Sequence, residues 1–294
     1  MKVYLRKDLV KDLDTDALLA YIALRSIYHK DEEEFYVSIN MLCYRLFGDT
    51  TYTRAFKDSV INGLNTLVDR NLIVVKEKIS KMEFVLNGQG LYFENVFFIG
   101  IDLEYIRTAC HVDARVDKGG LIKYLLTMVG TLCNDPFYYQ GCEFEHMKGT
   151  IGFMPISYIA QEACVSEATA LSYNTILENE KIMYIYHFRH TYYDEIKERI
   201  KTLNNVYGLF EHRDNVLKFA KGMSARYNVP FTVHKQDANK RRSLAAKYNA
   251  MCRGKQYSEE ETKEILEYIK SKERYNGGEN TNGCITGSCA VLSC

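Results

Sequence analysis

The sequence predicts a mainly α protein with small β-wings, an α+β fold, and three observations predict it. Apolar stripes at helical spacing recur along the chain. One order of elements, short strand, short helix, longer helix, strand, occurs over residues 35–86 and again over 149–190. Short β-branched runs such as Leu72-Ile73-Val74-Val75 follow the longer helix of each copy, too short for a large sheet.

Each element follows from its residues. Residues 14–29 carry apolar side chains at 18, 19, 22, 24, 27 and 28, a helical stripe with Asp14 or Thr15 as N-cap. Lys30–Glu34 reads as a charged loop and Phe35–Val37 as a short strand. Ser38 caps a helix through Phe47, with Ile39, Leu42, Cys43 and Leu46 on one face, and Gly48-Asp49-Thr50 breaks it. A longer helix runs from about Thr53 to Arg70 on apolar positions 56, 60, 64, 67 and 68, and Asn71 stops it. Leu72–Val75 and Met82–Leu86 form a hairpin across a charged turn, a wing. Residues 91–106 add a strand and lead into a connecting helix, and Lys118-Gly119-Gly120 marks a boundary between units.

The pattern then restarts. Leu121–Cys133 is an apolar helix, Asn134–Gly149 a loop and Thr150–Met154 strand-like. Pro155 suits a first helical turn, and Ile156, Ile159, Ala160 and Ala163 form the stripe behind it. Val165 turns the chain, Ser166 opens a helix ending near Asn179, and Ile182–Phe188 alternates as a strand. No second wing strand is evident here: Tyr193–Tyr207 reads as helical and the second wing as degenerate. Farther on, Arg213–Ser224 reads as helical, Asn228-Val229-Pro230 breaks it, and Asp237–Cys252 is helix-forming and basic. Ser258–Tyr275 opens on a capping box, Ser258 with Glu261. Residues 276–294, rich in Gly, Asn and Ser, are expected to be disordered.

This layout is the outline of tandem winged helix-turn-helix units plus a helical C-terminal region. The first winged-helix domain is placed at 1–110, the second at 118–210, the basic helical region at 211–275 and the tail at 276–294. Such a unit packs one helix across the next so that the second projects outward, and polar side chains near its N-terminus reach bases or phosphates. In the first unit the outward positions are Thr51, Tyr52, Thr53, Arg54, Lys57 and Asp58, of which Arg54 and Lys57 suit phosphate or guanine edges. Lys76, Lys78 and Lys81 lie on the wing. In the second unit they are Ser166, Glu167, Thr169, Ala170, Ser172, Tyr173 and Asn174, a set without cations. That composition leaves room for a dimerisation or protein-contact surface. The same lysines also suit a merely solvated face.

The chain of 294 residues has 38 basic and 38 acidic side chains, so bulk charge does not draw it to nucleic acid. Residues 218–255 nonetheless hold ten Lys/Arg against one acid, Asp237, with Lys240, Arg241 and Arg242 consecutive and tyrosines interleaved. This composition fits phosphate neutralisation. Nine cysteines without a C-x-x-C pair, several in apolar stretches (Cys43, Cys133, Cys164), read as reduced buried thiols. Apolar runs stop short of 18 residues and the N-terminal segment lacks an apolar core, so neither a membrane span nor a signal peptide is expected, and the location is expected to be cytoplasmic. Cys133, Cys142 and His146, or His187-x-x-His190, do not make a four-ligand metal pattern. There is no G-x-x-x-x-G-K-[ST] or G-x-S-x-G string. The Tyr192-Tyr193 and Tyr138-Tyr139 pairs lack the His-x-His that a tyrosine nickase needs. The expectation is a non-enzyme without cofactor or metal.

In its two segments, SINMLCYRLFG with RAFKDSVINGLNTLVDRNLIVV and PISYIAQEACVSEATALSYNTILENEKIMYIYHF, the chain resembles the tandem winged-helix replication initiators of plasmids and phages, and more loosely phage replisome organisers. The resemblance spans roughly residues 1–210 and rests on architecture, including the shared endings Leu67 to Leu72-Ile-Val-Val and Leu177 to Ile182-Met-Tyr-Ile. It implies binding of double-stranded DNA at an origin by both units, with no chemistry in the protein itself; replication proteins such as a helicase or its loader are expected partners, and a homodimer is one expected assembly. The alternatives are a winged-helix transcriptional regulator and a protein–protein adaptor.

Overall fold

A computed structural model describes residues 1–29, 33–113, 115–134, 147–188, 191–194, 199–231, 247–248, 250–251 and 255–266, with the backbone alone for 191–194 and 199–202. It is a mixed α+β protein with small sheets. Residues Met1–Phe231 form one compact unit, and the second unit covers Thr232–Cys294.

The chain opens with β1 (Lys2–Arg6), α1 (Lys7–Asp12) and α2 (Thr15–Arg25). Asp14 caps α2 by accepting from the Ala17 N–H at 2.8 Å. Then come β2 (Glu34–Ser38), α3 (Ile39–Phe47), α4 (Arg54–Asp69), β3 (Val74–Lys78) and β4 (Glu83–Asn87). The three strands form one antiparallel sheet in the order β2-β4-β3, with Phe35 opposite Leu86 and Val75 opposite Leu86 on the other side. The expected start and stop signals are used. Ser38 accepts from the Met41 N–H, and Gly48 ends α3 at φ 85°, a conformation glycine reaches without Cβ strain. Next, β5 (Phe98–Asp102) returns to pair antiparallel with β1 and leads into α5 (Leu103–Cys110), as the aromatic run of 91–106 predicts.

The same order then repeats. α6 (Lys118–Gly130) takes the place of α2, and the Lys118-Gly119-Gly120 boundary signal is the first turn of this helix, with both glycines buried. A β-bridge at Gly152 takes the place of β2. α7 (Ile156–Glu162), α8 (Glu167–Asn179) and β6 (Met183–Tyr186) follow. The helix expected over 193–207 is instead three strands: β7 (Thr191–Asp194), β8 (Arg199–Thr202) and β9 (Val206–Leu209). β9 pairs with β6, and Tyr207 bridges Gly152, so the order is Gly152-β9-β6, matching β2-β4-β3. β7 and β8 pair only with each other, as a hairpin inserted between β6 and β9. The second repeat therefore has a return strand, contrary to the degenerate wing expected. At the end of the 193–207 stretch the helix propensity of its Glu and Lys is outweighed by pairing with β6 and by burial of every residue of β9. Finally α9 (Arg213–Arg226) packs on β6 and β9 through Val216, Phe219 and Ala220.

Both longer helices end alike. Leu72 N–H donates to the Leu67 carbonyl and Ile182 N–H to the Leu177 carbonyl, both at 2.9 Å. Asn71 and Lys181 between them take left-handed φ of 55° and 54°. This closure satisfies carbonyls that the helix end leaves open. α7 ends the same way, Val165 N–H to the Ala160 carbonyl at 2.9 Å, with Cys164 at φ 59°. Cys164 is thus an exposed turn residue and not the buried thiol expected. An L side chain in this region is strained where glycine is not, so Cys164→Gly is expected to stabilise the protein by about 1 kcal/mol. A rise in Tm of roughly 2–4 °C checks this.

One core cluster runs from Val3 through α2, α4 and α6 to Leu209, so the two repeats share it. A smaller cluster of Met147, Ile151, Tyr186, Val206, Val216, Phe219 and Ala220 lies under α9. In the second unit residues 259–266 are helical, and the expected capping pair is in contact: Ser258 Oγ accepts from the Glu261 N–H at 3.3 Å. The Glu261 carboxylate also accepts from the Lys247 ammonium at 2.7 Å, and this contact, helped by the Ser258 backbone N–H, holds the carboxyl below its usual range. Among the described residues no helix is long and apolar enough to cross a membrane.

Candidate nucleic-acid interface

The candidate cations of the first repeat lie on two elements, the start of α4 and the hairpin of β3 and β4. Thr53 is the N-cap of α4, and its hydroxyl accepts from the Phe56 N–H at 3.2 Å. Arg54 begins the first turn with its side chain 96% exposed, 4.0 Å from Asp58, a pairing too long and too wet to hold it. Lys57, one turn on, is half-buried near Cys43, where its charge weakly opposes the burial that pushes the Cys43 thiol up to about 11. The preceding loop is ordered by Asp49, which accepts from the Thr51 N–H at 2.8 Å and the Thr51 hydroxyl at 2.7 Å. These bonds, with His111 nearby, hold the Asp49 carboxyl below its usual range. The outward stripe of α4 continues through exposed Asp58, Asn62 and Asn65. Both asparagines have side chains suited to base edges. Sequence reasoning missed them, although their spacing from Arg54 is helical.

The hairpin of β3 and β4 carries the remaining cations of this repeat's candidate site. Every residue of β3 is exposed. Lys76 sits where the register shifts between Val75 and Glu77, and its ammonium is 3.6 Å from Glu34. Lys78 and Lys81 are exposed at the strand end and in the turn. Glu83 is engaged within the hairpin: its carboxylate accepts from Tyr36 at 2.7 Å and Ser80 at 3.0 Å, which hold it below the usual carboxylate range. The exposed helix N-terminus with Arg54 and the lysine-bearing hairpin are both suited to anionic phosphate.

The second repeat differs. Ser166 occupies the position of Thr53 as N-cap of α8, and its hydroxyl accepts from the Thr169 N–H at 3.1 Å. Thr169 is half-buried with its own hydroxyl 2.8 Å from Ser166. Tyr173, expected to face outward, is buried against Tyr124, with ring centroids 5.7 Å apart. Ala170 and Asn174 are buried too; Asn174 accepts from the Tyr124 hydroxyl at 2.9 Å. The exposed face of α8 consists of Glu167, Ala168, Leu171, Ser172 and Thr175, with Leu171 55% exposed, and the helix has no Lys or Arg.

Of the basic segment, Lys218, Lys221 and Arg226 are exposed on α9. Arg213, at the start of α9, lies over the Tyr184 ring at 5.3 Å. Lys255 lies over the Tyr257 ring at 5.4 Å. Lys240, Arg241 and Arg242 lie outside the described residues, as do Cys142, His146, His190 and the 276–294 tail. Among the described residues no group of three or more His, Cys, Asp or Glu is placed to hold a metal. Compared with models of protein families and with curated proteins, the chain matches none.

Proposed function

We propose that the two repeats are winged helix-turn-helix units and that the protein binds double-stranded DNA through the first, as a replication initiator or organiser of a plasmid or phage. The observation that carries this reading is the exposed, cation-bearing N-terminus of α4, set in the same repeat as an exposed hairpin with Lys76, Lys78 and Lys81. The strand order β2-β4-β3, with α3 and α4 inserted between β2 and β3, supports it. α4 is the reading helix, its Asn62 and Asn65 facing bases, while the hairpin lysines track the backbone. α8 lacks cations and presents Leu171 and Glu167, which favours a second reading for that unit: it contacts protein, a helicase or its loader, or a second copy of the chain. A transcriptional regulator built from the same parts would bind beside promoters instead of origin repeats.

The test is selection from a random duplex library with the purified protein at two salt concentrations, followed by anisotropy titrations on an enriched site. An enriched motif supports the reading, and no enrichment at either salt overturns it. Arg54→Ala with Lys57→Ala is expected to weaken binding about tenfold and to flatten the log–log salt slope by roughly 2. A double variant that binds as tightly as the parent, with the same slope, removes α4 from the interface.

A further inference from the structure

Beneath the turn that joins α3 to α4 lies a cavity of about 320 Å³ that none of the foregoing uses. Its walls come from five helices: the first turns of α2, α4 and α6 and the last turns of α3 and α5. Gly119 brings two of these together. A Cβ there would stand 2.6 Å from the Thr15 side chain, so the first turns of α6 and α2 abut, and Asp117 and Asp16 both line the cavity.

The wall chemistry is divided. Leu19, Phe47, Phe56 and Val112 supply an apolar surface, with Phe47 and Phe56 edge to face at 4.6 Å. The polar groups differ in what they have left to offer. Thr53 is engaged in capping α4. His111 donates from Nε2 to the Phe47 carbonyl at 2.9 Å. Lys118 donates to the Val112 carbonyl and, at 2.8 Å, to the Asp113 carbonyl. Among the described residues neither the Asp16 nor the Asp117 carboxylate takes part in a hydrogen bond or ion pair, although one Asp117 oxygen stands beside Gly120 on the side of the Tyr173 hydroxyl, whose pKa is raised by burial and by that charge. A pocket of this size, mostly apolar with a few convergent polar groups, has the make-up of small-ligand sites, and its open valences are two acceptors of negative charge.

We propose that this cavity binds a small aromatic amine, its ring against Phe47 and Phe56 and its ammonium donating to Asp16 and Asp117. The ring supplies the apolar burial and edge contacts, and the ammonium supplies charge-assisted hydrogen bonds to groups otherwise left to solvent. The site stands whether or not α4 reads DNA.

The chain contains no tryptophan, so the emission of an indole ligand excited beyond the tyrosine band reports directly on binding. Tryptamine titrated with the full chain is expected to show a saturable rise in anisotropy and a blue shift. Two matched indoles separate charge from ring: tryptophol, the neutral alcohol, and indole-3-acetate, the anion. Each is expected to bind at least about tenfold more weakly than tryptamine, the ratio a lost charge-assisted contact gives. Asp16→Asn with Asp117→Asn is expected to weaken tryptamine by a similar factor while leaving tryptophol unchanged. Should that pair unfold, Ser59→Phe, which fills the cavity from α4, is expected to abolish the blue shift in a chain with unaltered circular dichroism. No saturable signal, equal affinity for the three indoles, or displacement of tryptamine by ethylamine as readily as by phenethylamine would each overturn the proposal.

Discussion

Replacing Gly63 with alanine is expected to cost the protein about 3 kcal/mol or more, although alanine is the better helix former by about 1 kcal/mol. Gly63 lies in the middle of α4 and is buried. A Cβ built there would stand 2.1 Å from the Asp16 carbonyl oxygen, 2.5 Å from its carbon and 3.0 Å from the Ala17 nitrogen. All three are backbone atoms, so no rotamer change relieves the clash. The α2 segment has little room to retreat, being fixed by the Asp14 cap on one side and by the Thr15 contact with Gly119 on another. α4 must therefore lift from α2 along its length, opening the contacts of Val60, Leu64 and Leu67 with the core. Urea and thermal unfolding check this, with a fall in Tm of roughly 6–12 °C expected for a unit of this size. Since α4 is also the proposed reading helix, its displacement should weaken DNA binding well below the Tm. A Gly63→Ala protein with a raised Tm would mean that propensity governs and that the α2–α4 crossing is looser than described.

Local signals in the sequence were legible where the chemistry is local. Ser38 and Asp14 read as caps because their short acceptor side chains suit a helix start, and both cap in the structure, as do Thr53 and Ser166 at the two helix starts read from the apolar stripes. The twin endings at Leu67–Leu72 and Leu177–Ile182 read as one motif, and the same hydrogen bond closes both. Nonlocal features were not legible. The stretch 193–207 carries residues that favour a helix, but β9 is decided by partners at Gly152 and β6, which no window of sequence contains. Tyr173 was misplaced for a related reason. The buried stripe of α8 is Ala170, Tyr173, Asn174 and Leu177, and Asn174 disguises it by being polar, its amide oxygen satisfied by Tyr124 from α6. Exposed Leu171 made the opposite face look apolar. For the candidate site, Arg54 and the hairpin lysines were legible as charges, whereas Asn62 and Asn65 were lost among neutral helix positions. The cavity under α4 draws on residues from 16 to 119 and has no sequence signature at all.

Lys123→Met is expected to destabilise the protein by about 2–4 kcal/mol, despite keeping the length of the side chain and adding hydrophobicity. Lys123 is 6% exposed, in a helix whose other residues from Leu121 to Leu126 are also buried. α6 touches α1, α2, α5 and β5 on the side of the first repeat and packs with α7 and α8 of its own. The Lys123 ammonium donates to the Lys11 carbonyl at 2.9 Å and the Leu13 carbonyl at 2.7 Å. These carbonyls lie at the C-terminal end of α1, where the helix dipole favours a cation. Exchanging a buried charge for an apolar residue is often neutral when its partner is a side chain that can be exchanged as well. Here the partners are backbone carbonyls, which no substitution removes, so methionine takes this donor from one buried and one part-buried acceptor. The desolvation recovered by deleting the ammonium offsets only part of that loss. Equilibrium urea unfolding decides the balance: a lowered midpoint with an unchanged slope is the expected result, and parental stability would mean that water reaches the end of α1. Because the bonds join the first helix of the second repeat to the N-terminal helix of the chain, the loss should appear as one cooperative transition in which both repeats unfold together, and not as the early melting of either one.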